Sequence, residues 1–340
     1  MNNPAATTLA LPFPFATATD TPQKIIQMLA ALLVFGAVLG VIFFLAGLTS
    51  RKGSGRATAY LYLLPTVLML SVGLVYPGLR TIYESFFDAA GKAFIGFDNY
   101  QTIFTDQDQL TVLRNTVFWV VFTPFVATAI GLVYAILVDK SRFESAAKAL
   151  IFLPMSISFV AAGVIWKFMY EYRPDQGRVK QIGLVNQVIV WFGGKPQQLL
   201  IESPLNSFLL IIVMIWIQAG FAMTILSAAI KAIPDDIIEA ARLDGVNAWS
   251  MFRKITLPSV RPTVVVVLTT IGIGTLKVFD IVRTMTGGNF KSSVVANEFY
   301  RQTFNAANQG LGAALAVLLF ILVIPIVYYN IRQVRQSEAR

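Results

Sequence analysis

Apolar runs alternate with polar segments along the whole chain. Seven runs hold 20 residues or more, and an α-helix of about 20 residues crosses the ~30 Å hydrocarbon core of a bilayer. They cover residues 25–48, 57–79, 115–138, 149–170, 204–230, 263–282 and 310–331. The pattern predicts an all-α integral membrane protein with about seven transmembrane helices.

Composition agrees with the pattern and excludes several classes of site. Of the 340 residues, 56% are hydrophobic and 13% are charged, whereas soluble domains carry about 25% charged residues. The chain has no Cys and no His, which excludes disulfides, thiolate metal sites and imidazole proton relays. The net charge of +9 comes from basic residues in short loops, so it indicates membrane topology and not nucleic-acid binding.

The distribution of Lys and Arg predicts an orientation. The loops at residues 49–56, 139–148, 231–261 and 332–340 are richer in basic residues than the remaining connecting segments. Because basic loops stay in the cytoplasm, this bias predicts an N-terminus outside and a C-terminus inside. Residues 1–24 are then a disordered external tail, since they are rich in Ala, Thr and Pro.

The longest polar segment with a helical pattern is residues 234–258. Pro234, Asp235 and Asp236 are typical of a helix start, and Gly245 predicts a break with a positive φ. A second short helix is predicted over residues 247–253. The apolar stripe of the first helix consists of Ile237, Ile238, Ala241 and Leu243. Two helices joined by a glycine elbow form a compact knob, which either enters a cleft of another protein or lies on the bilayer surface as an amphipathic connector.

The residues of this segment resemble a known signature. The segment contains Glu239-Ala240-Ala241, and three residues, ending in Asp244, separate it from Gly245. Nine further residues separate Gly245 from Ile255-x-Leu257-Pro258. This spacing resembles the EAA signature of membrane subunits of binding-protein-dependent ABC importers. The resemblance implies a cytoplasmic coupling helix that docks on an ATPase subunit. Glu239 would then bond a basic or polar group, the two alanines would allow close packing, and Gly245 would set the elbow.

The resemblance extends over residues 60–335 and implies the type I ABC importer permease fold. The chain looks most like α-glucoside permeases of the maltose-type sugar family, through residues 230–245 and the Thr286-Gly287-Gly288-Asn289 turn. Many members have Pro where Asn289 stands, and the large external domain of the longer maltose-type permease is missing here. On this interpretation residues 25–56 are an extra N-terminal span with a basic loop, 57–335 the transmembrane domain and 336–340 a cytoplasmic tail.

The family also implies partners and a mechanism. A second permease, two ATPase subunits and an extracytoplasmic solute-binding protein would assemble with this chain in the bacterial inner membrane. Sugar of the maltose, trehalose or sucrose type would cross by alternating access. The chain lacks the G-x-x-x-x-G-K-[ST] phosphate-binding motif, so it is predicted to be no enzyme and to bind no cofactor, with ATP and Mg held by the partner subunits.

Polar residues inside apolar runs are candidates for the substrate path, because hydrocarbon makes them costly. The candidates are Ser156, Ser158, Gln218, Phe221, Thr270, Gly274 and Lys277. The last three follow a spacing that places them on one helix stripe, and Lys277, Asp280 and Arg283 are predicted to share one face. The same stripe also fits a tight helix–helix contact, since small residues favour both.

Two other functions compete with the importer interpretation. An ion-coupled secondary sugar transporter would need coupling-ion ligands, and neither an inverted repeat nor a chain of buried carboxylates is evident in the sequence. A membrane enzyme acting on a lipid-linked sugar would need an acidic motif at a membrane edge, which the sequence also lacks.

Overall fold

The structure is a computed structural model that describes residues 21–50, 55–139, 141–174 and 181–338. Within these ranges the regular structure is helical, apart from one antiparallel bridge between Phe87 and Phe94. The predicted disordered tail lies almost entirely outside the described residues. Most of the basic loop after the first span and the end of the C-terminal tail lie outside them too.

The chain divides into two units, residues 1–80 and 81–340. In the first unit, α1 (Thr21–Ser50) and α2 (Gly55–Leu70) pack against each other, and the rings of Phe43 and Tyr62 meet edge to face at 5.9 Å. A π-helical turn, Ser71–Val75, follows, and α3 (Tyr76–Glu84) continues across the boundary between the units. Most described apolar side chains of α1 and α2 are exposed, as expected for helices in lipid.

The second unit contains twelve further helices in the described residues. They are α4 (Asp98–Thr105), α5 (Gln107–Val138), α6 (Glu144–Phe152), α7 (Phe159–Met169), α8 (Leu184–Trp191), α9 (Leu205–Lys231), α10 (Asp235–Leu243), α11 (Ala248–Met251), α12 (Leu257–Leu276), α13 (Asp280–Met285), α14 (Val295–Tyr300) and α15 (Gln309–Glu338). The predicted spans at residues 115–138, 204–230 and 310–331 lie within α5, α9 and α15. The short apolar α8 lies in the loop between the fourth and fifth spans.

The core of the second unit forms where α5, α9 and α12 pack. Trp119 of α5 lies among Leu210 and Met214 of α9, and all three are almost fully buried. Further along the same pair, a Cβ added at Gly131 would lie 2.5 Å from Cβ of Ala222. A glycine at this point lets the two backbones approach, which is how membrane helices gain packing energy without a hydrophobic driving force.

The predicted fourth span, residues 149–170, is not one straight helix. α6 passes into a 3₁₀ turn, Leu153–Ser156, and α7 then leaves at 100° to it. Pro154 removes a backbone donor, and Ile157 is extended with φ −94° and ψ 139°. The Ser158 side chain then caps α7 by accepting a bond of 3.2 Å from the Ala161 N–H. The continuous helix predicted here is therefore wrong, because a proline and two extended residues interrupt it.

The predicted sixth span, residues 263–282, is shifted towards the N-terminus. The helix starts at Ala248, passes through a π-helical turn, Phe252–Thr256, and continues as α12 to Leu276. The predicted separate helix over residues 247–253 is thus the first turns of this long helix. Six described helices are long and apolar enough to cross a membrane, and the bent α6–α7 pair makes seven.

Candidate functional site

We name residues 234–258 the EAA segment. Its first helix, α10, starts at Asp235 directly after Pro234, and Asp235 and Asp236 place two carboxylates in the first turn, where the helix dipole favours them. At the other end the Gly245 N–H donates to the Arg242 carbonyl at 3.0 Å and the Val246 N–H to the Ala241 carbonyl at 3.1 Å. This pair of bonds is a Schellman cap. Gly245 has φ +75°, which confirms the predicted elbow.

The second arm of the EAA segment runs directly into the membrane helix. Asn247 caps it by accepting a 2.8 Å bond from the Ser250 N–H, and the rings of Trp249 and Phe252 pack at 5.6 Å. Ile255 lies in the π-helical turn, and Leu257 and Pro258 begin α12. A displacement of this arm therefore moves α12 without an intervening loop.

The EAA segment exposes apolar surface beside carboxylates. Leu243 is 89% exposed and Trp249 67% exposed, while Ala241 is buried. Glu239, Ala240 and Asp244 are exposed on the same short helix and its cap. The predicted stripe is therefore only partly buried, since Ile237 is 48% exposed and Leu243 points away from the side that Ala241 buries. Exposed apolar side chains rimmed by charge are typical of a protein contact, and docking on an ATPase stays a prediction for these residues.

The structure brings two of the predicted path residues together. A Cβ added at Gly274 of α12 would lie 3.9 Å from Nε2 of Gln218 on α9. Thr270, one turn earlier on α12, is exposed like Gly274, and Phe221 is half-buried on α9. A neutral amide, a hydroxyl and an aromatic ring thus lie near one seam between α9 and α12.

The break in the fourth span packs against the same part of α9. A Cβ added at Gly220 would lie 2.5 Å from the Ile151 carbonyl oxygen and 3.0 Å from Cα of Phe152. Ser156 is exposed just beyond this contact, whereas the Ser158 hydroxyl is engaged in capping α7. Gly220 lies two residues after Gln218, so the two contacts are at the same height on α9 but on nearly opposite faces of the helix.

The predicted common face is wrong for Lys277, while Asp280 and Arg283 lie three residues apart in α13 and share a face. α12 ends at Leu276, Lys277 has φ −97° and ψ 12°, and a new helix begins at Asp280. Helical spacing therefore does not apply across this break. The guanidinium of Arg283 instead lies over the ring of Tyr300 at 5.0 Å from its centroid.

A buried carboxylate that the sequence prediction missed lies at the far end of α12. Glu298 is fully buried and accepts hydrogen bonds from Arg301 Nη2 at 2.7 Å, Gln302 Nε2 at 2.7 Å and Gln109 Nε2 at 3.2 Å. Burial alone would raise the pKa of Glu298, but the bonds from Arg301 and Gln302 outweigh it and hold the pKa below its ordinary value. The sequence signal that could have revealed this site is a carboxylate in the mostly apolar segment from Val294 to Phe299.

The sequence prediction also missed a cluster of charged residues next to the EAA segment. It lies at the C-terminal ends of α5 and α9 and the N-terminal end of α6. Oε1 of Glu144 accepts from Lys148 Nζ at 2.6 Å and from Lys231 Nζ at 2.5 Å, and Lys231 also lies 3.8 Å from Asp139. Lys148 Nζ donates further to Ser227 Oγ at 2.5 Å. The sequence prediction counted the basic residues of this loop and left its acidic ones out.

Residues 113–335 match the family described as the binding-protein-dependent transport system inner membrane component. The chain belongs to this family. The match begins within α5 and ends near the C-terminus of α15, so it includes the EAA segment, the broken span and Glu298. The chain is therefore a transport subunit of a multi-pass inner-membrane system and not an enzyme, so the lipid-linked enzyme interpretation does not apply.

Curated relatives cover most of the chain. It is 48% identical over 278 residues to the osmoprotective compounds uptake permease protein GgtC of Synechocystis sp., a match that covers 82% of this chain and 99% of that protein. It is 44% identical over 280 residues to the alpha-glucoside transport system permease protein AglF of Rhizobium meliloti, with 82% and 83% coverage.

A solved structure confirms the fold. A chain from a bacterial ABC transporter involved in the import of the acidic polysaccharide alginate superimposes with a TM-score of 0.72 at 22% identity, covering 85% of this chain and 98% of that one. The architecture is the type I ABC importer permease fold predicted from the sequence.

Proposed function

We propose that this chain is the permease subunit of an ATP-driven ABC importer that moves an α-glucoside or a similar oligosaccharide into the cytoplasm. The observation that carries the proposal is the 44% identity to the alpha-glucoside permease AglF over 82% of the chain. The 48% identity to the GgtC permease for osmoprotective compounds fits the same substrate class, since small glucosides are neutral and highly soluble.

The chemistry of the seam between α9 and α12 supports an uncharged, hydroxylated substrate. Gln218 offers both a donor and an acceptor, Thr270 offers a hydroxyl, and Gly274 leaves the surface of α12 beside Gln218 without a side chain. Phe221 supplies an apolar face, as ligand sites usually combine such a face with a few polar groups. Ser156 would extend this path at the broken span, and Lys277 would lie at its end, where α12 stops.

The proposed mechanism is alternating access driven through the EAA segment. Two ATPase subunits, which hold ATP and Mg, would grip Glu239, Ala240 and the exposed Leu243 on the cytoplasmic side. Closure of the ATPases would displace α10, and the continuous helix from Ala248 to Leu276 would carry that displacement to Thr270 and Gly274. A solute-binding protein would deliver the sugar outside, and a second permease would complete the path.

Uptake by the reconstituted complex tests this function. The complex is purified through a tag on this chain, placed in liposomes with ATP inside, and given its binding protein with radiolabelled trehalose, maltose or sucrose. We expect uptake that requires ATP and is competed by α-glucosides but not by the zwitterion glycine betaine. Uptake that follows an ion gradient without ATP would overturn the importer, and competition by betaine alone would overturn the substrate class.

A further inference from the structure

We propose that Glu144 is a positioning residue that makes the broken fourth span follow the EAA segment during transport. The inference rests on the proposed function and extends it to a residue outside both the EAA segment and the substrate path. It follows from two contacts between α9 and α6, one at each end of α6, and from the connection of α9 to α10.

The first contact is ionic. Glu144 is the first residue of α6 and Lys231 is the last residue of α9, and Oε1 of Glu144 lies 2.5 Å from Nζ of Lys231. Lys148 strengthens the contact because its Nζ bridges Glu144 at 2.6 Å and Ser227 Oγ at 2.5 Å. Lys231 thus holds the Glu144 carboxylate against α9, and Lys148 of α6 adds its own bond to Ser227 of α9. Charged networks of this kind are stronger than isolated surface pairs.

The second contact is steric and lies at the other end of α6. The backbone of Ile151 and Phe152 packs so closely on α9 that a Cβ at Gly220 would lie 2.5 Å from the Ile151 carbonyl oxygen. α6 is therefore held at its first turn by charge and at its last turn by close packing. A helix fixed at both ends to a neighbour moves with that neighbour as one body.

The position of Lys231 makes this coupling mechanical. Only Ala232 and Ile233 separate it from Pro234, where the EAA segment begins. A force on α10 therefore reaches the C-terminal end of α9 directly, and the Glu144 contact passes it to α6. α6 ends at the 3₁₀ turn that contains Ser156, so the same force displaces the bend in the fourth span. The geometry gives the importer a second transmission route beside α12.

Neutralising Glu144 tests the proposal with the full complex. In Glu144→Gln the carboxylate charge is lost while side-chain size is kept, and we expect sugar uptake per ATP hydrolysed to fall about fivefold. The uptake KM should stay unchanged, because the substrate path is intact. Arg142→Gln is the matched control: Arg142 is exposed in the same loop, and within the described ranges no ion pair to it is found, so its uptake per ATP should equal that of wild type.

A covalent rescue separates positioning from a general effect on folding. The chain has no Cys, so Glu144→Cys with Lys231→Cys introduces the only two thiols of this subunit. We expect the double variant to be uncoupled, and a bifunctional thiol crosslinker to restore uptake per ATP. The single variants treated with the same reagent should stay uncoupled.

The outcomes distinguish this inference from the proposed function. If the wild-type complex hydrolyses ATP without importing any glucoside, the proposed function fails. If wild type imports the sugar and Glu144→Gln has unchanged uptake per ATP, the positioning role is overturned alone. If the crosslink blocks a working double variant, α6 and α9 separate during the cycle, and the inference is overturned as well.

Discussion

The EAA segment and the far-end loop, residues 286–301, lie at opposite ends of α12 and are built in opposite ways. Most polar groups of the far-end loop are bonded within the chain: Asn115 Nδ2 donates to the carbonyls of Lys291 and Ser293 at 2.6 and 3.0 Å, and Glu298 accepts bonds from Gln109, Ser293, Arg301 and Gln302. The EAA segment exposes Leu243 and Trp249. The far-end loop is stabilised by hydrogen bonds within the chain, whereas the EAA segment leaves apolar side chains exposed for contact with a partner.

This contrast separates two kinds of mutational effect. A buried charge that loses its partners destabilises the fold, because its desolvation is no longer offset. An exposed elbow contributes little to the free energy of unfolding, so changes there should affect transport and spare the fold. The predictions below test that separation.

The largest effect is expected at Gly245. The residue has φ +75° and no heavy atom lies within 4 Å of an added Cβ, so Gly245→Asp strains the backbone and places a carboxylate on the elbow without a clash. We expect uptake to fall more than about tenfold while ATPase activity persists, because the proposed mechanism transmits the energy of ATP hydrolysis through this elbow. Both rates are measured on the reconstituted complex.

Gly193→Asp is the matched control for Gly245. Gly193 has φ +80° and is equally open, but it lies in the loop between α8 and α9. It should therefore show the same backbone strain and normal coupling. Equal loss of transport in both variants would mean that strain, and not the EAA elbow, is responsible.

The next effect is expected on stability, at Glu298. Glu298→Ala leaves the buried Gln109 and the half-exposed Arg301 without their acceptor, and we expect the free energy of unfolding to fall by about 2 kcal/mol. Titration with sodium dodecyl sulfate in mixed micelles, followed by Trp fluorescence, measures this loss. Glu202→Ala, at an exposed carboxylate, should change the free energy by less than about 0.5 kcal/mol, and similar losses in both variants would contradict the buried network.

A smaller effect is expected at Gln218, between the two ends. Gln218→Ala removes one donor and one acceptor from the proposed path, so we expect the uptake KM to rise about tenfold with unchanged uptake per ATP. Thr224→Ala on the same helix is the control, because its hydroxyl is bonded to the Gly220 carbonyl of its own helix at 2.9 Å. Unchanged KM and unchanged specificity in Gln218→Ala would remove this residue from the path.

The smallest effect is expected from pH. The pKa of Glu298 is below its ordinary value of 4.5 in the folded chain, so its ionised form stabilises the fold above the unfolded value. That contribution is present at neutral pH and is lost as the pH falls below 4.5 through the folded pKa. We therefore expect the difference in unfolding free energy between wild type and Glu298→Gln to shrink on acidification, and a constant difference from pH 7 to about 3 would contradict the sign.

The sequence predicted the features that depend on local chemistry. The number of spans follows from apolar length, and the elbow follows from a glycine where φ must be positive. The end of α12 was missed, because Val278, Phe279, Ile281 and Val282 continue the apolar pattern of the helix while the backbone leaves the helix at Lys277. The bend at Pro154 was missed because proline is tolerated in membrane helices when neighbours compensate for its missing donor.

The candidate site was predictable only where a motif marks it. The EAA residues are close in sequence, so their spacing is informative. The contacts of Glu144 with Lys231 and of Glu298 with Gln109 join residues 87 and 189 positions apart. Side-chain pairs so distant along the chain arise from tertiary packing. Composition and periodicity carry no information about which distant residues pack together.

The most direct test of the account is a crosslink from the EAA segment. Leu243→Cys places a single thiol on the 89% exposed residue of α10, and a thiol-attached photocrosslinker is activated in membranes that contain the whole complex. We predict a crosslinked product with an ATPase subunit and no labelling of this thiol by a membrane-impermeant reagent added to intact cells. Labelling from outside, or crosslinks to lipid alone, would contradict the claim that an ATPase drives transport through this segment.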